Sequence, residues 1–370
     1  MVSETGGRYN ICIFNGDMSR GGGTERITAL LSGMLARISR YDVWVLSAAN
    51  ETGKSFFELD GRVHTAALTK RGVLGKIFEL SRFIRKNRID VLINVDVMLG
   101  IFSLPAAMLH PSLSVIAWEM FNLRNDIGSK HTVTVRRLSL RRCAAYITQT
   151  KGDMEAFLAE MPVRCPIDYI YNPCFGQAGV AYDIDSKTIV TAGNFFYTKG
   201  FDLAIETAKK VFCRHGDWKW ELYGDGERLE ETKRAAHEAG LDDNVIFRKR
   251  SSSMDEIYRH AAMYVMTSRT EGFGLVLTEA KSFALPTLAF DIDFGPREII
   301  EDGKSGFLVP AFDTDALAER ICLLIEDREM RAEFSRHAGD NLDKFSPDEF
   351  CRRWTNVIDA ALGTKRRKRK

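Results

Sequence analysis

The chain has 370 residues, enough for two or three domains with cores of their own. Hydrophobic residues make up 45% and charged residues 28%, a balance that excludes a disordered chain. Lys plus Arg number 52 against 50 Asp plus Glu. Taking the six consecutive cations at 365–370 out of the formal +2 leaves −4, which excludes a nucleic-acid binder with a basic body.

Short β-branched runs alternate with helical patterns along the whole length. Residues 9–14, 43–47, 63–68, 91–95, 115–118, 144–148 and 169–171 read as strands, with helices predicted at 25–39, 77–86 and 133–142. Residues 97–118 contain no Lys, Arg, Asp or Glu, but Pro105, His110 and Pro111 interrupt them. A buried helix followed by a buried strand is predicted there, not a membrane span. Patterning weakens over 172–187, around Pro173, Gly176 and Gly179, and the rhythm then restarts. Strands are predicted at 188–192, 218–222, 245–248, 263–267, 286–290 and 306–309, and helices at 201–212, 227–239, 254–260, 275–283 and 315–326. A last helix, 347–362, follows the Ser346–Pro347 start signal and is long enough to reach back to the first half. The expected fold class is therefore α/β: two doubly wound Rossmann-like domains, 1–175 and 176–346, facing a central cleft, with a returning helix and a basic tail at 363–370. Seven scattered cysteines without a CxxC argue against a disulfide scaffold or a zinc ribbon and fit a reducing cytoplasm. The N-terminus shows no basic-then-apolar leader pattern.

Four loop-to-helix junctions carry candidate chemistry. Gly21, Gly22 and Gly23 follow the first strand and open a helix, so backbone can approach an anionic ligand at a helix N-terminus. The spacing is neither GxGxxG nor a P-loop. Gly193 and Asn194 end a strand, and Lys199 stands just before the next helix, where an ammonium can reach a diphosphate. Glu271, Gly272, Phe273, Gly274 and Leu275 lead into a helix that carries Glu279 in its second turn, so the two carboxylates can touch different parts of one ligand. Gly295, Pro296 and Glu298 form the fourth junction. The nearby Asp291/Asp293 pair has metal-ligand spacing, but Asp183/Asp185 and Asp313/Asp315 repeat it, and no metal site is expected.

In this order and spacing the junctions resemble the retaining GT-B glycosyltransferases of family 4 (glycosyltransferases group 1), in the variant of bacterial surface-polysaccharide enzymes. The resemblance covers nearly the whole chain and is strongest over 188–310. It implies a sugar transferred from a nucleotide diphosphate donor, expected to be a UDP-sugar, to a lipid-linked or growing saccharide, with no cofactor and no metal. By resemblance Lys199 balances the leaving diphosphate, helped by amides near Gly274 and Leu275. Glu279 holds the ribose hydroxyls and Glu271 those of the transferred sugar, making Glu271 and Lys199 the catalytic candidates. Gly193, Asn194, Arg248, Gly272 and Phe273 complete the donor side, and Gly22, Gly23 and Glu119 form the acceptor side. Two positions depart from the family. Asn194 stands where an arginine is usual, with Arg248, Arg250 or Arg269 as possible substitutes, and Met120 follows Glu119 where a histidine is usual.

Those departures keep a second reading open, a nucleotide-sugar or carbohydrate-binding protein without turnover. A third is another GT-B sugar-nucleotide enzyme such as an epimerase, against which the Glu271/Glu279 pair argues. The tail, with Lys130, Arg136, Arg137, Arg141 and Arg142, offers a peripheral contact to an anionic membrane at the inner face. No nucleic-acid partner is expected, because no aromatic residues interleave the tail.

Overall fold

The computed structural model describes residues 8–125, 131–175, 181–251 and 254–368. Lys130, Gly176, Gly179 and the last two cations lie outside the described residues, as do the side chains of 364–368. The chain forms two compact units, Met1–Ile170 with Asp348–Lys370, and Tyr171–Pro347.

The first unit runs β1 (Tyr9–Asp17), α1 (Gly23–Ala36), β2 (Tyr41–Ala49), β3 (His64–Ala67), α2 (Val73–Lys86), β4 (Val91–Val95), α3 (Gly100–Met108), β5 (Ser114–Trp118), α4 (Thr132–Arg142), β6 (Ala145–Thr148), α5 (Lys151–Glu160) and β7 (Ile167–Tyr169). All seven strands are parallel, in the order β3-β2-β1-β4-β5-β6-β7. Both faces are buried, as a parallel sheet requires. Ile11 and Ile13 of β1 point into one apolar cluster, and Cys12 and Phe14 point into the other. The charge-free stretch 97–118 supplies α3 and the interior strand β5, as expected from its interruptions.

The second unit runs β8 (Thr188–Ala192), α6 (Phe201–Phe212), β9 (Lys219–Tyr223), α7 (Leu229–Glu238), β10 (Val245–Arg248), α8 (Met254–Arg259), β11 (Met263–Met266), α9 (Leu275–Ser282), β12 (Thr287–Asp291), α10 (Pro296–Ile299), β13 (Gly306–Pro310), α11 (Thr314–Glu326) and α12 (Arg328–Ala338). Its six parallel strands take the order β10-β9-β8-β11-β12-β13. In each unit the order reverses once, between β1 and β4 and between β8 and β11. Chains leave such a pair toward opposite faces, which opens a crevice at the strands' carboxyl ends.

Helix α13 (Pro347–Lys368) closes the chain. Phe350, Trp354 and Ile358 recur at helical spacing and fill the apolar cluster that Ile11 and Ile13 face, with the Trp118 and Trp354 rings 4.6 Å apart. Ser114 donates to the Ala361 carbonyl at 3.0 Å, and Arg353 pairs with Asp168 at 2.8 Å. The helix passes the expected end at residue 362 because the Lys and Arg residues beyond Gly363 are good helix formers. Helices α5 and α12 were not anticipated. Helix α5 buries only Asp153 and Phe157, too few positions for a periodic pattern, and α12 starts at the residue where α11 ends, Asp327, which caps it through the Met330 N–H.

Candidate functional site

The best-defined constellation sits where β8 and β11 end side by side. After β8 the chain makes a short 3-10 turn, Tyr197–Lys199, and Gly200 then adopts φ 63°. A Cβ at Gly200 would lie 2.1 Å from the Thr267 carbonyl, so only glycine lets this loop seat against the end of β11. The loops are joined by hydrogen bonds from the Arg269 N–H to the Thr198 carbonyl (2.8 Å) and from the Thr267 hydroxyl to the Lys199 carbonyl (3.3 Å). As a result Lys199 Nζ reaches Glu271 Oε1 at 2.6 Å, and the Ser268 hydroxyl donates to the same oxygen at 2.6 Å. The Glu271 side chain is 9% exposed and that of Lys199 30%, so a largely desolvated carboxylate holds a more accessible ammonium. Two residues from the same strand ends, 72 apart in sequence, thus form one charged cluster.

Gly274, at φ 96°, caps α9 and starts the helix whose second turn carries Glu279, a half-buried residue. Between the strand ends lies Tyr264, fully buried, with its hydroxyl 3.1 Å from both the Ala192 N–H and the Ala192 carbonyl. Burial, with the nearby Glu271 and Glu279 charges, pushes its phenol far above the usual range. Gly193 packs on the Lys199 stem, 3.8 Å from where a Cβ would stand. Leu275, next to Gly274, is half-buried, as is Gly272. The fourth junction is fixed by Gly295, φ 100°, whose Cβ would strike the Phe273 carbonyl at 2.3 Å, and Glu298 accepts from the Tyr171 hydroxyl at 2.5 Å. Asp291 is paired with Arg297, which accounts for one half of the Asp291/Asp293 pattern.

Three donor-side expectations change. The Phe273 ring is 2% exposed and packs against Tyr171 and Phe345, so its side chain belongs to the core. Arg248 is held by Glu221 at 2.9 Å, and Arg269 makes two bonds to Asp202 while lying over the Tyr197 ring. Of the three arginines weighed as substitutes for the missing cation, Arg250 is the one that reaches Asn194, at 3.5 Å.

In the first unit Gly22 is the N-cap of α1. Its N–H bonds Glu25 Oε2 at 3.1 Å, and a Cβ on it would meet that oxygen at 2.5 Å. Glu25 is therefore a capping residue, while Gly23 has open space where its Cβ would be. Glu119 is not on the surface. It is fully buried, paired with Arg136 at 2.8 Å and accepting from the Tyr146 hydroxyl at 2.7 Å. Arg136 also donates to the Asn122 and Leu123 carbonyls, so it leaves the expected basic patch and serves the interior.

Two residues at the β1/β4 strand ends escaped the sequence reading. Asp17 is buried; its Oδ1 takes both hydrogen bonds from Ser19, and its Oδ2 makes none. Asp96 has φ 95°, which is costly for a residue with a Cβ, and accepts from the Met98 N–H at 2.8 Å. Burial, reinforced by the Glu119 charge, raises its carboxyl from 3.8 to about 6, against the opposing effects of the Met98 N–H and Arg136. A lone Asp between two valines has no spacing signal, so nothing in the sequence marks it.

Two doubly wound parallel sheets with loop clusters at their strand ends are the architecture of the GT-B glycosyltransferases. An Anabaena protein solved with UDP, HepE, has this fold at a TM-score of 0.80 and 17% identity, over 95% of this chain and all of that one. Residues 180–340, within the second unit, fit the family described as Glycosyl transferases group 1, and the chain is a glycosyltransferase. Over 91% of its length it is 24% identical to an uncharacterized glycosyltransferase of Haemophilus influenzae, covering 96% of that protein. It is 25% identical over 95% of its length to the whole of the amylovoran biosynthesis glycosyltransferase AmsD of Erwinia amylovora.

Proposed function

We propose that the enzyme transfers a hexose, with retention, from a UDP-sugar to a lipid-linked or growing saccharide during surface-polysaccharide assembly. The observation that carries this reading is the Lys199–Glu271 pair at the β8/β11 strand ends. Charge grows on a departing diphosphate in the transition state, and an ammonium fixed beside it lowers the barrier. Lys199 is that cation, oriented by Glu271 and by the Gly200 turn. Glu271 contacts hydroxyls of the transferred sugar, and Glu279 binds the ribose. Arg250, next to Asn194, supplies the second positive charge. No protein nucleophile is invoked: the acceptor hydroxyl attacks from the leaving-group side and its proton passes to the departing phosphate. The Lys199 and Arg250 charges take the place that a metal would otherwise fill. Support comes from the UDP held by the Anabaena protein and from the biosynthetic role in the name of the Erwinia relative. The reaction is assigned to the cytoplasmic side, with the basic C-terminus as a peripheral membrane contact. Among the described residues no helix is long and apolar enough to cross a membrane.

The test is a thermal-shift series with UDP and GDP, followed by sugar release and transfer assays. Ligand binding raises the melting temperature by mass action. A UDP shift that Lys199→Ala removes, with turnover that Glu271→Ala abolishes, is the expected result. A UDP shift without transfer or hydrolysis over a broad acceptor panel would instead establish a binding protein without turnover. No shift with any nucleotide would refute the donor site.

A further inference from the structure

Phe56, in the loop between β2 and β3, is 62% exposed, yet its backbone is tied down. Its N–H donates to the Met18 carbonyl at 2.8 Å, and the Ser55 hydroxyl donates to the Phe57 carbonyl at 2.7 Å. The ring lies on Gly21, in the turn between β1 and α1. A Cβ on Gly21 would stand 2.9 Å from its Cζ and 3.0 and 3.2 Å from the two Cε atoms. Distances so nearly equal mean that Gly21 meets the flat of the ring; against its edge, Cζ would be much nearer than either Cε. With one face seated on this turn, the ring presents its remaining surface to solvent. Hydrogen-bonding groups border it. The Arg20 guanidinium is exposed and lies 3.8 Å from both Asp17 Oδ2 and Glu51 Oε1, too far for a hydrogen bond to either. Asp17 is buried and its Oδ2 makes no hydrogen bond, so it holds a negative charge beside Arg20 without occupying the donors. Glu51 is exposed on the same loop as Phe56.

We infer that this turn is a pyranose subsite for the acceptor saccharide, in which Phe56 stacks on the C–H face of one sugar ring while Arg20 donates to its hydroxyls and Glu51 accepts from them. A pyranose has an apolar face and a hydroxyl-bearing edge, and a single aromatic ring bordered by a donor and an acceptor matches both. A protein partner would need further apolar side chains around Phe56, whereas Glu51, Thr52, Lys54 and Glu58 of the same loop are all exposed and polar. Gly21 is glycine because the ring occupies the space of its side chain. The subsite rests on the saccharide acceptor of the proposed transfer and makes Phe56 a specificity-determining residue for it.

The experiment is a saturation-transfer NMR titration of the full chain with the methyl pyranosides of glucose, galactose, N-acetylglucosamine and N-acetylgalactosamine. Wild type is compared with Phe56→Ala, Phe56→Leu, Phe56→Trp and Gly21→Ala, with the melting temperature as the control for folding and the UDP thermal shift as the control for the donor site. At least one pyranoside should bind. Its affinity should fall about three- to tenfold in Phe56→Ala and Phe56→Leu and be kept in Phe56→Trp. It should fall as well in Gly21→Ala, which retains the ring but pushes it off its seat. Four results would overturn the inference: no pyranoside binding, binding that Phe56→Ala leaves intact, binding that Phe56→Leu keeps as well as Phe56→Trp does, or a UDP shift that Phe56→Ala removes. The last would make the ring a nucleobase platform. Pyranoside binding that depends on Phe56, in a wild-type chain that UDP does not shift, would count against the transferase reading and leave a carbohydrate site in place.

Discussion

Asp96→Asn should stabilise the protein at neutral pH while impairing it as an enzyme. Asp96 pays for its position twice, through a backbone of φ 95° and through a buried carboxylate. Asparagine tolerates positive φ as well as aspartate does and can still accept the 2.8 Å bond from the Met98 N–H, so the change removes the charge and little else. A carboxyl raised from 3.8 to about 6 is protonated more readily in the folded than in the unfolded chain. Its contribution to stability is therefore fully present below pH 4 and is lost as pH rises through about 6. Two pKa units correspond to about 3 kcal/mol. For a unit of about 190 residues that is a rise of roughly 6–12 °C in the melting temperature of the variant at pH 8, shrinking to nothing near pH 4. Calorimetry of both proteins from pH 4 to pH 8 measures the gap directly. A gap of equal size at both ends, or a less stable variant at pH 8, would refute the reasoning. Transfer activity should fall about tenfold or more at the same time, because a charge kept at such a cost beside a strand-order reversal is expected to serve a ligand.

Glu119→Gln leaves the Arg136 guanidinium buried without its counter-charge and should cost about 3–5 kcal/mol in denaturant unfolding; pairing it with Arg136→Met should recover most of that. If Glu119→Gln instead left stability unchanged and removed only acceptor use, Glu119 would be a substrate residue after all. Gly200→Ala forces a Cβ to 2.1 Å from the Thr267 carbonyl, and a loss of more than about 2 kcal/mol is expected in the same measurement, with UDP affinity lost as well. Arg250→Ala should weaken UDP binding by about tenfold in calorimetric titration, whereas Arg248→Ala, whose side chain is already engaged by Glu221, should change it by less than about threefold. Equal effects would mean that Arg248 leaves Glu221 to reach the ligand.

Strands were legible because a parallel sheet covered on both faces demands short, mostly apolar runs rich in β-branched residues, such as Val91–Val95. The charged junction was legible for a different reason. Lys199 and Glu271 each follow a strand and precede a helix, and such positions collect at one edge of any doubly wound sheet. What the sequence withheld were relations that exist only after folding. Glu119 looks available until Arg136, 17 residues later, is brought against it in the interior. Phe273 looks presented by its flanking glycines, yet its ring lies in the core against Tyr171 and Phe345. Asp96 is distinguished by a dihedral angle and by desolvation, neither of which a residue name carries. Helix α12 was hidden because Asp327 ends one helix and caps the next without a linker.

The placement of α13 also sets an order of assembly. The second unit is one continuous segment, Tyr171–Pro347, whereas the first needs residues from both ends of the chain. On a ribosome the later-made unit can therefore finish folding first. The earlier one must wait, with the sheet face that Trp354 and Ile358 will cover still bare, until the last helix emerges. A chain exposed only as far as residue 347 would combine a complete second unit with an unfinished first unit, the stage at which a chaperone would have most to bind.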